Sequence, residues 1–130
     1  MKDGFIRVAS ATPKIKVADC QYNTAAIIEM IGEAYEKKTK IIVFPELCIT
    51  GYTCNDLFFQ NTLLDGAIEG LSQILDASKG KEMLIFVGLP YMHLGKLYNV
   101  AAVVRNGRLL AMIPMHRAQA SLLLRHAEPR

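Results

Sequence analysis

Four consecutive apolar residues, Ile41-Ile42-Val43-Phe44, run into Pro45 and then into a carboxylate, Glu46. A run of this kind reads as a short strand buried on both faces, and a proline that cannot donate to a ladder stops it. Glu46 then stands at the carboxyl end of a buried strand, where open α/β sheets place their ligand crevices. Hydrocarbon on either side disfavours its charged form, so the group is a candidate general base. Alternatively, Glu46 only begins a solvated loop and bonds backbone amides there. The loop that follows is long and polar. Gly51 permits a turn closed to other residues, and Tyr52, Thr53, Asn55 and Asp56 supply side chains of the kind that functional loops carry.

The flanking sequence supplies the layers around that strand. Phe5-Ile6-Arg7-Val8-Ala9 is a strand candidate ended by Pro13. Asn23 is placed to cap a helix whose apolar positions Ile27, Met30, Ile31, Ala34 and Tyr35 recur every three or four residues. Lys38-Thr39-Lys40 turns into the Ile41 strand, completing a β-α-β unit with parallel strands and a right-handed crossover. A second stripe, Leu64, Ala67, Ile68, Leu71, Ile74 and Leu75, marks another helix that Ser78-Lys79-Gly80 ends. Met83 to Val87 reads as a third strand stopped by Gly88 and Pro90. Leu97 to Val104 and Leu109 to Ile113 then form a hairpin about Asn106-Gly107. The order β-α-β-α-β followed by an antiparallel pair predicts a three-layer α/β fold with a mixed sheet.

Composition narrows the function classes. The chain has 130 residues, 52% of them hydrophobic, enough for the core of one domain. No apolar run exceeds five residues, and Met1-Lys2-Asp3-Gly4 has no signal-type apolar region, so a cytoplasmic location and no membrane partner are expected. A net charge of +3, without basic residues clustered on aromatics, argues against nucleic acid. Cys20, Cys48 and Cys54 lack CxxC spacing, and only three histidines are present, so no metal site is expected. Neither GxGxxG nor GxxxxGK[ST] occurs to cradle a phosphate. Cys48 and Cys54 lie near Glu46 but read better as small packing residues than as nucleophiles, Asp56 as a helix cap, and His93 as a solvated turn residue.

Phe44-Pro45-Glu46-Leu47-Cys48-Ile49-Thr50-Gly51-Tyr52, continued by Thr53-Cys54-Asn55-Asp56-Leu57-Phe58, resembles the glutamate motif of the nitrilase, or carbon-nitrogen hydrolase, superfamily. In its second half the motif is most similar to the N-terminal glutaminase domain of glutamine-dependent NAD synthetases. Arg7-Val8-Ala9, Val87-Gly88-Leu89-Pro90, Leu97-Tyr98-Asn99-Val100-Ala101 and Asn106-Gly107 follow in the family's order, so the resemblance covers about residues 4 to 114. It implies an α-β-β-α sandwich, here partial, a mixed sheet with two helices on one face. It also implies amide hydrolysis by a glutamate, a lysine and a cysteine, with L-glutamine as substrate and ammonia passed on for NAD synthesis from deamido-NAD.

Of that triad only Glu46 maps onto this sequence. The family's lysine follows the proline after the hairpin, whereas here Pro114 is followed by Met115-His116-Arg117-Ala118, and the family's cysteine lies beyond residue 130. All nine lysines precede residue 115, while residues 115 to 130 hold three arginines and two histidines. The expectation is therefore residues 1–114 as the N-terminal half of a glutaminase domain, and 115–130 as a divergent tail, frameshifted or disordered, or else an ordinary C-terminal helix. Such a fragment is expected to be inactive alone. It needs no cofactor of its own, since ATP and deamido-NAD would bind the missing synthetase domain, and the resemblance implies that full-length members are oligomeric. The alternative function is a non-catalytic half-domain that binds a full-length relative.

Overall fold

A computed structural model describes residues 4–51 and 60–115. Its elements are β1 (Arg7–Ser10), α1 (Cys20–Glu36), β2 (Thr39–Val43), α2 (Asn61–Ala77), β3 (Leu84–His93), β4 (Lys96–Arg105) and β5 (Arg108–Pro114). They build one five-stranded sheet in sequence order. β1, β2 and β3 run parallel, and β3, β4 and β5 antiparallel. The mixed sheet and the order of elements are those that the apolar periodicities predict.

Alternation in the strands decides where the core sits, because directly paired residues point to the same side of a pleated sheet. Ile85, Val87 and Leu89 of β3 pair with Val104, Ala102 and Val100 of β4, and all six are buried. With Ile42 of β2 they join one cluster with Ile27 and Ile31 of α1 and Ala67, Leu71 and Ile74 of α2. The two helices thus cover the same face of the sheet and pack on each other. The other face carries Val8, Val43 and Ile113, which stay 62%, 44% and 47% exposed. Among the described residues the fold therefore has two layers, not the three that the order of elements predicts, because both helices lie on one face of the sheet.

Several boundaries differ from the sequence reading. β1 is set by its pairing with β2 and starts at Arg7, leaving Phe5 and Ile6 exposed. Asp19 rather than Asn23 caps α1, its carboxylate accepting from Tyr22 N. Tyr35 and Ile68 sit at the margins of their stripes and are exposed. β3 does not stop at Gly88 and Pro90 but continues to His93. The reason is local: β2 pairs with β3 only as far as Phe86. The Asn99 carbonyl opposite Pro90 is engaged by Met115 N on the β5 side, so the proline nitrogen points away from β4 to where β2 no longer runs. A proline costs no ladder bond there.

Two-residue turns with left-handed backbone, Leu94-Gly95 and Asn106-Gly107, close the two hairpins. The second is fastened to the end of α2. Asn106 Oδ1 accepts from Gly80 N at 2.7 Å, and Gly107 N donates to Ser78 Oγ at 2.7 Å. Arg105 and Asn106 also both bond the Glu82 carboxylate. No helix among the described residues is long and apolar enough to cross a membrane.

Candidate functional site

Glu46 opens a tight turn at the carboxyl end of β2. Phe44 N still donates to Phe86 O as a last rung beside β3. After Pro45 the backbone folds over: Leu47 adopts φ +51°, and its carbonyl accepts from Thr50 N and from Gly51 N, the latter at 2.7 Å. The turn lies directly on β3. A Cβ at Gly88 would run into the Leu47 nitrogen and come within 3.0 Å of Glu46 Cα, so only glycine lets the two backbones come this close. Ile49 N in turn donates to Gly88 O.

Buried side chains hold the turn from behind. Asn23 donates from Nδ2 to Ile49 O at 2.9 Å and to Lys16 O at 2.8 Å, and its Oδ1 accepts from Lys16 N at 2.8 Å. One amide therefore ties α1, the segment before it and the Glu46 turn together. Ala18 N adds a bond to Thr50 O at 2.8 Å. Cys48 is fully buried, its Sγ accepting from Gly88 N at 3.4 Å. Burial pushes its thiol up to about 11, and the backbone of Gly88 pulls only partly the other way. A thiol so placed carries almost no thiolate at neutral pH, so it is a packing residue.

The Glu46 carboxylate is half-buried and meets one side chain of the sheet. Asn99 of β4, 2% exposed, directs Nδ2 at Glu46 Oε2 across 3.4 Å. Asn99 Oδ1 is buried with no hydrogen-bond partner among the described residues. The Asn99 backbone carbonyl accepts from Met115 N at 2.9 Å. So the residue after the β5 proline is anchored to the same strand position that faces Glu46.

Of the other candidates, His93 is exposed beside the Leu94-Gly95 turn and stacks on Tyr91 at 6.2 Å. Tyr52, Thr53, Cys54, Asn55 and Asp56 lie outside the described residues, as does the 116–130 tail. No group of three or more His, Cys, Asp or Glu side chains suited to a metal occurs among the described residues. Sequence reasoning did not single out Asn23, Gly88 or Asn99 for the site. The available signal was a lone amide inside the apolar run of β4, a polar group that burial penalises unless something bonds it.

Comparison with known proteins identifies relatives of the chain and of its fold. The carbon-nitrogen hydrolase family model matches residues 7–121. Among curated proteins, the glutamine-dependent NAD(+) synthetase of Mycobacterium tuberculosis is 32% identical over 111 residues, 85% of this chain and 16% of that protein. That of Aquifex aeolicus is 35% identical over 112 residues, 86% of this chain and 19% of that protein. The crystal structure of a glutamine-dependent NAD(+) synthetase from Cytophaga hutchinsonii superposes with a TM-score of 0.77 at 33% identity, covering 82% of this chain and 18% of that one. The chain thus spans less than a fifth of the length of these synthetases. With a family model matched over most of its length, and a mixed sheet and paired helices like those of a solved relative, the chain belongs to the carbon-nitrogen hydrolase family.

Proposed function

We propose that this chain is the glutamate-bearing part of a glutamine-hydrolysing amidase domain, one that releases ammonia for NAD synthesis from deamido-NAD. The observation that carries the reading is Glu46: a half-buried carboxylate on a turn clamped by Asn23 and Gly88, facing a buried amide at the end of a parallel strand. In this role Glu46 takes a proton from the attacking thiol and returns one to the leaving ammonia, a step typically worth about 10² to 10⁴ in rate. The nucleophile and the oxyanion-stabilising lysine that the resemblance calls for have no counterpart in these residues. Cys48 is sealed and protonated, and Met115 stands where the lysine would follow the proline. ATP and deamido-NAD belong, on this reading, to a synthetase domain outside this chain, and residues 115–130 to a divergent tail.

The purified chain is therefore expected to release no more ammonia from L-glutamine than its Glu46→Gln variant. Mixed with a polypeptide carrying the remainder of a synthetase's glutaminase domain, it should yield ammonia that Glu46→Gln removes. Ammonia from the chain alone, above the variant, overturns the inactivity. A mixture that forms a complex yet makes no Glu46-dependent ammonia overturns the amidase assignment.

The exposed apolar face of the sheet favours a second reading, a non-catalytic half-domain seated on a full-length relative. Co-elution with an intact synthetase in size-exclusion chromatography, without any change in ammonia release, would select it.

A further inference from the structure

We infer that Asn99 is the positioning residue of Glu46, holding one carboxylate oxygen through Nδ2 while its backbone carbonyl fixes residue 115 beside the same spot. The inference rests on Glu46 being the proton-transfer group proposed above, and it adds a residue that the glutamate, lysine and cysteine scheme does not contain.

The chemistry of an amide on a buried strand leads there. Asn99 sits between half-buried Tyr98 and buried Val100 in a strand whose buried positions are otherwise Leu, Val and Ala, where a hydrocarbon side chain would pack without an unmet polar atom. A structural asparagine uses both its donor and its acceptor, as Asn23 does with three bonds. Asn99 does not: its one side-chain bond goes to Glu46, and Oδ1 is left unmet among the described residues.

The orientation is also determined. A carboxylate only accepts, so the amide must present NH₂ to Glu46, because Oδ1 in that place would set two acceptors against each other. The 3.4 Å separation is long for a hydrogen bond, as catalytic hydrogen bonds often are before substrate closes on them.

The function of such a contact is rotational. A glutamate at a strand end has three side-chain torsions to settle, and a general base works only when its lone pair is aimed at the proton it takes. Engaging Oε2 assigns the proton traffic to Oε1. The second bond of Asn99, from Met115 N to its carbonyl, brings the residue after the hairpin proline to the strand position that faces Glu46. One residue of β4 thereby sets both the direction of the carboxylate and its relation to the end of β5.

The pairing is read directly in the chain by NMR, without turnover. In ¹⁵N-labelled protein the Asn99 side-chain amide resonances should move on Glu46→Ala by more than those of Asn61 or Asn106, which lie elsewhere. In protein labelled at the glutamate carboxyl carbons, the Glu46 signal should move in both Asn99→Asp, nearly isosteric but without the donor, and Asn99→Leu. In the reconstituted ammonia assay, Asn99→Leu should lower kcat by about 100-fold with little change in KM, the size of loss that misaligning a reacting group produces.

An Asn99 amide signal that ignores Glu46→Ala overturns the inference. If Asn99→Leu fails to fold, the Glu46→Ala comparison still decides, since it leaves Asn99 in place. A shifted amide signal with no reconstituted ammonia leaves the Asn99 to Glu46 pairing standing and fells the amidase reading instead. Ammonia release that Asn99→Leu leaves unchanged overturns the positioning role alone.

Discussion

Glu46 and Cys48 are separated by one residue, yet the turn that carries them leaves the carboxylate half-exposed and seals the thiol. The thiol offers a direct test of that turn. Its pKa rises from an ordinary 9.0 to about 11 in the folded chain, chiefly through burial. The folded state then keeps its proton over a range where the unfolded chain has lost it, so the contribution to stability is intact below pH 9 and drains away between pH 9 and 11. At about 1.4 kcal/mol per unit the loss amounts to some 2 to 3 kcal/mol. Urea midpoints measured from pH 8 to pH 11 should fall less steeply in Cys48→Ala than in the parent chain. Equal slopes would show the thiol to be solvated. At this scale the glutamate was legible as a candidate, because a charged residue after an apolar run and a proline is conspicuous in one dimension. Asn99 was not, because its significance comes from a contact across 53 positions of sequence.

At the level of elements, periodicity located the helices and strands of the described residues, but their ends depended on neighbours. Pro90 reads as a stop only if its missing N–H would have met a partner, and the length of β2 decides that. Asn23 has the composition of a cap and the environment of a core residue, because the segment before α1 folds back to Lys16 and brings backbone groups to it. The turn after β2 depends in the same way on the strand beneath it. Replacing Gly88 with alanine sets a methyl group against the Leu47 nitrogen, where main chain on both sides limits relief. Overpacking of this kind costs about 1 to 3 kcal/mol. Gly88→Ala should therefore lower the thermal midpoint, and the Glu46 and Leu47 amide signals should shift with it. An unchanged midpoint would mean that the turn does not rest on β3.

The molecule buries the helix side of its sheet well and leaves part of the other side apolar and exposed. Val8, Val43 and Ile113 are apolar and exposed on strands that cross most of the sheet's width, the kind of surface that soluble monomers rarely leave open. The chain should bind an apolar dye and self-associate as concentration rises. Val43→Lys together with Ile113→Lys should reduce both without lowering stability, checked by dye fluorescence and light scattering. A monomeric, dye-negative parent chain would contradict this.

The fastening of the Asn106-Gly107 tip to the end of α2 reaches beyond the corner where it occurs. Sliding β4 by a single rung would turn its pleat over and offer the phenol of Tyr98 or the methyls of Val100 to the carboxylate instead of an amide. Pinned by Ser78 and Gly80, the strand keeps its count. A few bonds at the remote end of the hairpin thus act as a ruler for proton chemistry at the other.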